Sequence, residues 1–265
     1  MTYSLSRLSR RFLASLAAAF ALCSSTAHAQ SRIETTWDDF KSYTTAPLRW
    51  DRGDWTEFAF FAGTTAVAYQ YDDDVRNHFV VRSHAAKPGK DPGSMKDFVP
   101  TALVLAGTWA GAELSGSEQG KNEGWAMFEA AGLTAFSSTV FKYAFRRERP
   151  NDTDQKSDWF KSGNSFPSMH TSLAFAVGTV LAESGNDRYR WLRRALGYGI
   201  GGATVYLRLR GNVHWLSDTV AGAGLGISTA DFVMSQQDAR RRRAHVQLMP
   251  TPDGGAMLMY SASLE

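Results

Sequence analysis

Three groups of residues in the second half of the 265-residue chain have types and spacings suited to handling an anion. The first is Lys142-Tyr143-Ala144-Phe145-Arg146-Arg147-Glu148-Arg149-Pro150. Lys142 closes an apolar run, and Arg149 follows seven residues on, two turns of a helix and nearly the same face. Pro150 biases Arg149 away from helical geometry, so this arginine belongs where helix gives way to loop. Two cations there suit a phosphate dianion, with the guanidinium able to reach two oxygens at once. The second group is Gly163-Asn164-Ser165-Phe166-Pro167-Ser168-Met169-His170-Thr171, just ahead of an apolar run. Ser165 or Ser168 can cap a helix there, and Pro167 is preorganised for its start. The free N–H groups of its first turn form an anion site, and His170 stands ready to protonate a leaving oxygen. The third is Arg208-Leu209-Arg210-Gly211-Asn212-Val213-His214-Trp215-Leu216-Ser217-Asp218. With Asn212 as N-cap, His214 and Asp218 fall at i and i+4 on one helix face. A carboxylate there can accept Nδ1–H and leave Nε2 as a nucleophile or base. Each group alone also fits a plainer reading: a basic helix end, a capped helix with a surface histidine, a structural His–Asp pair.

The elements that must position these groups are helical. Six uncharged stretches recur, Phe58–Tyr71, Phe98–Ala112, Ala130–Phe141, Thr171–Ala182, Ala195–Leu207 and Thr219–Ala230. All fall short of the roughly 20 apolar residues that span a bilayer. They are rich in Ala, Gly and Thr and read as buried helices of a bundle that approach one another closely. Polar breaks at Lys87–Gly93 and Asn151–Asn164 separate them. The expected fold class is all-α, with about six core helices. A small C-terminal β-hairpin is expected within Val246–Ala262, around Pro252-Asp253-Gly254-Gly255. The expected organisation is a signal peptide at 1–29, a polar segment of short helices and loops at 30–54, the bundle at 55–237, and a basic segment with tail at 238–265.

Composition bounds the function. The chain is 43% hydrophobic and 12% aromatic, so it is no disordered polymer. A mean hydropathy of -0.30 argues against a polytopic membrane protein. The excess of 29 Lys and Arg over 26 Asp and Glu is an excess of the leader. Arg7, Arg10 and Arg11, an apolar stretch from Phe12 to Leu22 and Ala27-His28-Ala29 have the layout of a secretory signal cut after Ala29. Such a cut removes three arginines, no acids and Cys23, the single cysteine. The remainder is neutral and cysteine-free, with a periplasmic or secreted location expected and no nucleic-acid partner.

Taken in order, Lys-x6-Arg-Pro, Pro-Ser-x-His and Arg-x5-His-x3-Asp resemble the type 2 phosphatidic acid phosphatase and vanadium haloperoxidase superfamily, closest in style to bacterial class A acid phosphatases. The run His214-Trp215-Leu216-Ser217-Asp218-Thr219-Val220-Ala221-Gly222 is also typical of its third motif. The resemblance covers roughly residues 55–237 and implies a phosphoric monoester hydrolase. Lys142, Arg149 and Arg208 would hold the phosphoryl oxygens, with Ser168 and the Met169 N–H adding hydrogen bonds. His214 would attack phosphorus to form phosphohistidine, Asp218 would orient it, and His170 would protonate the leaving alkoxide and then activate water. Three fixed cations would stabilise the transition state without a metal, so no cofactor is expected and vanadate should inhibit. The substrate would be a phosphorylated small molecule or a lipid headgroup.

Two positions depart from the family's pattern. Met169 stands where Gly is usual, which costs little at helical angles and strains the chain at positive φ. Leu207 replaces the Ser before Arg208. Competing readings are a vanadium haloperoxidase, with vanadate as cofactor in the same residues, and an inactive phosphate-binding relative. Elsewhere, Asp72-Asp73-Asp74 with His78 and His84 lacks the spacing of a calcium loop and reads as a solvated helix end. Arg240–Arg243 should end the sixth helix and could touch acidic lipid heads, a peripheral membrane contact. Trp159 and Phe160 are expected to roof the pocket.

Overall fold

The computed structural model describes residues 26–83, 98–185, 189–244, 246–250 and 256–260. Most of the leader, the 87–93 break, His84 and the turn at 252–255 lie outside the described residues. Two compact units, 1–46 and 47–265, divide the chain. In the first, helix α1 (Thr26–Thr45) runs unbroken through the stretch where short helices and loops are expected, and through the expected cut after Ala29.

The second unit holds α2 (Arg52–Gln70), α3 (Asp72–Ser83), α4 (Val99–Ser115), α5 (Glu118–Phe145), α6 (Met169–Glu183), α7 (Arg190–Arg210) and α8 (Leu216–Ala244). The six uncharged stretches fall in α2, α4, α5, α6, α7 and α8, so the all-α expectation holds. Helix α3 is additional to them; its charged sequence hid it from an apolar-run reading. Strands β1 (Val246–Pro250) and β2 (Ala256–Tyr260) pair antiparallel, Val246 opposite Tyr260 and Leu248 opposite Leu258, as the expected hairpin.

Local chemistry sets the ends. Asp51 and Asp54 form a capping box at α2, Asp51 accepting from the Gly53 and Asp54 N–H groups at 2.6 and 3.1 Å. Gly116 ends α4 at φ 68°, a conformation that favours glycine, and Ser117 then caps α5 through the Gly120 N–H. Arg146 ends α5 in the left-handed region at φ 45°, its N–H returning to the Lys142 carbonyl at 3.0 Å.

Helix α6 is the centre of the bundle and packs against α5, α7 and α8. Its Ala174, Ala176, Val177, Val180 and Ala182 are buried. Backbones meet where both helices are stripped to glycine: a Cβ on Gly178 of α6 would overlap the Gly197 carbonyl of α7, and the reverse holds too. A Cβ on Gly222 of α8 would lie 2.8 Å from the Ser168 carbonyl. These contacts bring the starts of α6 and α8 together, which is where the second and third motifs lie.

Candidate active site

The spacing of the first motif works by a different geometry from the one expected. Helix α5 stops at Phe145, so Lys142 and Arg149 share no helical face. Residues 146–149 are outside any helix and alternate in burial, Arg147 and Arg149 buried while Arg146 is exposed. The returning loop pairs with this stretch, through Glu148 N–H to Asp158 O at 2.9 Å and Ser165 N–H to Arg147 O at 2.9 Å. That second bond ties the first motif to the second. Lys142 reinforces it, its Nζ donating to the Asn164 and Pro167 carbonyls at 2.5 and 2.7 Å. Arg149 donates to Asn164 Oδ1 at 2.8 Å and to the Val213 carbonyl at 3.0 Å, reaching the third motif.

Ser168 stands at the N-cap of α6, fully buried, without a capping side-chain bond. Its N–H donates to the Asp218 carbonyl at 3.0 Å, and its Oγ accepts from Thr171 Oγ1 at 3.1 Å. Met169 is the first residue of α6, and it is not among the positive-φ residues of the described chain. Replacing Gly there costs no backbone strain. His170, one residue on, has Phe98 stacked on its ring at 3.6 Å between centroids. Leu207 is 43% exposed on α7, while its neighbour Arg208 is buried at 2%.

The third motif corrects the expected helix start. Asn212 is in the left-handed region at φ 52°, and α8 begins only at Leu216. His214 therefore precedes the helix in a buried turn, and Asp218 lies in its first turn. The Asp218 carboxylate also accepts the Trp215 N–H at 2.9 Å, which fixes the entry to α8. Asp218 Oδ2 and His214 Nδ1 are 3.5 Å apart, and Ser165 bridges them. Ser165 Oγ is 2.5 Å from Asp218 Oδ2, to which it donates, and 3.4 Å from His214 Nδ1. Such long contacts to the ring suit a base that has yet to acquire charge.

Burial lowers the His214 imidazole well below its ordinary value, and Arg149, Arg208, Lys142 and His170 press in the same direction. The charges of Arg149, Arg208, Lys142 and His170 thus all reach the His214 ring. Lys142 is lowered to about 7 by desolvation and by Arg149 and Arg208. Arg149 is lowered to about 10 by burial and by Arg208. A neutral imidazole ringed by crowded cations has the electrostatics of an anion site with a nucleophile at its floor.

Sequence reasoning missed four residues behind this floor. Ser165 enters only as a helix cap there, and Ser217 only as a neighbour of Asp218. Arg147 is fully buried and bridges Asp218 Oδ1 and Asp72 Oδ2, each at 2.7 Å. Asp72 is likewise fully buried, correcting the solvated-end reading for that residue; its carboxylate also accepts from Ser217 N–H and Oγ at 2.8 and 2.7 Å. Its neighbour Asp73 is half-exposed beside Lys156 at 3.1 Å. Trp159 stacks over the Arg147 guanidinium at 4.4 Å and Phe160 is 70% exposed, so Trp159 roofs Arg147. Period-two alternation after the helix end was the available signal for Arg147; nothing local marks Asp72 out from Asp73 and Asp74.

Comparison with known proteins agrees with the motifs. The family described as PAP2 superfamily matches residues 123–242. Over 119 residues the chain is 33% identical to the lipid A 1-phosphatase of Porphyromonas gingivalis, covering 43% of this chain and 25% of that protein. The matched part is thus a quarter of the relative's length. No solved structure matches the chain. No helix among the described residues is long and apolar enough to cross a membrane. Residues 123–242, which carry Lys142, Arg149, Ser168, Met169, His170, Arg208, His214 and Asp218, are the part of the chain similar to the PAP2 superfamily.

Proposed function

We propose that the protein is an exported phosphatase that hydrolyses the phosphate monoester of a lipid-linked substrate through a phosphohistidine at His214. The observation that carries this reading is a buried His214 held 3.5 Å from Asp218, with the charges of Arg149, Arg208, Lys142 and His170 all acting on its ring. Nε2 attacks phosphorus as the bond to the leaving oxygen breaks, and His170 gives that oxygen its proton. The His214 ring becomes cationic, and its Nδ1–H is balanced by Ser165 and Asp218. Water then loses a proton to His170 and attacks phosphorus, the P–N bond breaks, and inorganic phosphate leaves. Lys142, Arg149 and Arg208 supply the positive charge that spreads over the equatorial oxygens, so the proposed chemistry is metal-free. The acid–base contribution of His170 is on the order of 10²–10⁴-fold.

The lipid-linked substrate is supported by the relative, a lipid A 1-phosphatase. Exposed apolar side chains on the same helices, Phe136, Val140 and Tyr143 of α5 and Tyr206 and Leu207 of α7, suit an amphiphile's contact. The test is phosphate release by the full chain from a lipid phosphate monoester in mixed micelles and from a short water-soluble phosphate monoester, each with and without EDTA. Preferential, EDTA-resistant hydrolysis of the lipid is expected. Loss of turnover in EDTA would end the metal-free mechanism, and equal or greater efficiency on the soluble ester would end the lipid assignment.

A further inference from the structure

Behind the proposed nucleophile, Asp218 ends a line of charge whose other two members the chemistry above does not use. Asp72 of α3, Arg147 after α5 and Asp218 of α8 are each fully buried and joined by two ion pairs of 2.7 Å. Arg147 Nη1 also donates to Ser217 Oγ at 2.8 Å, and Nε and Nη2 donate to the Lys156 carbonyl at 3.2 and 3.0 Å. Three aromatic rings enclose the guanidinium, Trp159 at 4.4 Å, Trp215 at 5.2 Å and Tyr69 at 5.4 Å. Each Asp218 oxygen has its own duty. Oδ1 takes Arg147, while Oδ2 takes Ser165 and the Trp215 N–H and faces His214.

We propose that Arg147 and Asp72 are positioning residues that set how strongly Asp218 holds the charge His214 acquires, one cation being shared between two carboxylates. This rests on the phosphohistidine reading of the site. A carboxylate that shares its charge with a cation holds a neighbouring imidazolium less tightly. The 2.7 Å pairing of Asp218 with Arg147 therefore bears on how easily His214 gains a proton and loses its nucleophilic lone pair. Arg147 supplies the cation, and Asp72 draws part of it away. Burial raises Asp72, with Arg147 and Ser217 opposing. The other charged groups facing this end of the site are Lys142 of α5, Arg149 of the following loop, Arg208 of α7, His170 of α6 and His214 itself. They lie toward the phosphate and are common to every variant below.

The two ends of the line have opposite predicted effects. Removing the Arg147 charge makes protonation of His214 easier, so activity fails at a higher pH on the acid side. Removing the Asp72 charge gives Asp218 the whole of Arg147, so activity persists to lower pH. A residue that only holds the fold would lower the melting temperature and leave the acid limb of the surviving enzyme in place. The experiment is the pH profile of kcat, with KM and melting temperature, for the full chain and for Arg147→Gln, Arg147→Lys and Asp72→Asn. Arg147→Gln should move the acid limb up by about one pH unit or more, and Arg147→Lys should recover most of that shift. KM should change less than about threefold, because Arg147 does not face the phosphate. Asp72→Asn should move the limb down. If Arg147→Gln does not fold, Arg147→Lys and Asp72→Asn still decide the matter. Shifts in the same direction, or none, with an active parent enzyme overturn the proposal. An inactive parent on every phosphoester overturns the phosphatase reading on which it stands.

Discussion

Replacing Lys142 with arginine should extend activity to higher pH. Lys142 is lowered to about 7, chiefly by desolvation, so it is cationic below that pH and neutral above it. Two of its protons are already given to the Asn164 and Pro167 carbonyls, at 2.5 and 2.7 Å. An ammonium has three donors, and the third, which meets the Ser165 carbonyl only at 3.5 Å, can turn to a phosphoryl oxygen. The neutral amine has two, and keeping both carbonyl bonds turns its lone pair toward the anion. One unit above the midpoint only about a tenth of the enzyme keeps the third donor, so the contribution falls about tenfold per unit. A hydrogen bond to a charged group is worth about 1.5–3 kcal/mol, so the whole loss in kcat/KM is about 10- to 150-fold. The assay is kcat/KM for an aryl phosphate from acid to alkaline pH. The substrate's second ionisation, near about 6 for a phosphate monoester, is common to all variants. Arginine stays charged throughout, so Lys142→Arg should lack the alkaline limb, and Lys142→Met should be low and flat there. An alkaline limb unchanged in both variants would refute the assignment of that limb to Lys142.

Other outcomes follow from the same geometry. His170→Ala should cost about 10²–10⁴-fold in kcat/KM on an alkyl phosphate and much less in kcat/KM on an aryl phosphate whose leaving group needs no proton, as steady-state kinetics on the pair would show. Gly178→Ala pushes a Cβ into the Gly197 carbonyl where α6 meets α7, so calorimetry should find a loss of about 1–3 kcal/mol or more, while the pH profile of the folded fraction stays that of the parent. Met169→Gly should leave stability nearly unchanged or lower it by about 1 kcal/mol, because Met169 already has a helical start with no positive φ to relieve; a clear gain in melting temperature would contradict the strain-free reading.

The bundle was legible because six apolar runs of helical length, bounded by polar breaks, leave little choice of fold class. The three motifs were legible as residue types and spacings, and the folded chain joins them by hydrogen bonds among Arg147, Arg149, Lys142, Asn164, Ser165, Val213 and Asp218. What was misread is how spacing becomes geometry. Lys142 and Arg149 look like two turns of one helix, yet Arg146 ends α5 at φ 45° and Arg149 lies buried in the non-helical chain that follows. His214 and Asp218 look like an i, i+4 helical pair, yet Asn212 at φ 52° makes a turn and α8 starts after His214. In each case tertiary bonds among the three motifs decide the backbone, and a local pattern contains no trace of them. Asp72 is the clearest instance: it lies 75 residues before the arginine that explains its burial, and only the folded chain brings them together.

The central claim is that His214 carries the phosphoryl group, and trapping that adduct tests it most directly. A substrate labelled in its phosphate is mixed with enzyme, quenched in alkali, where a P–N bond survives, and the labelled peptide is identified by mass spectrometry. The account predicts label on His214, lost on acidification, absent from His214→Ala, and accumulating in His170→Ala with an aryl phosphate. Label on any other side chain, or full turnover by His214→Ala, would contradict it.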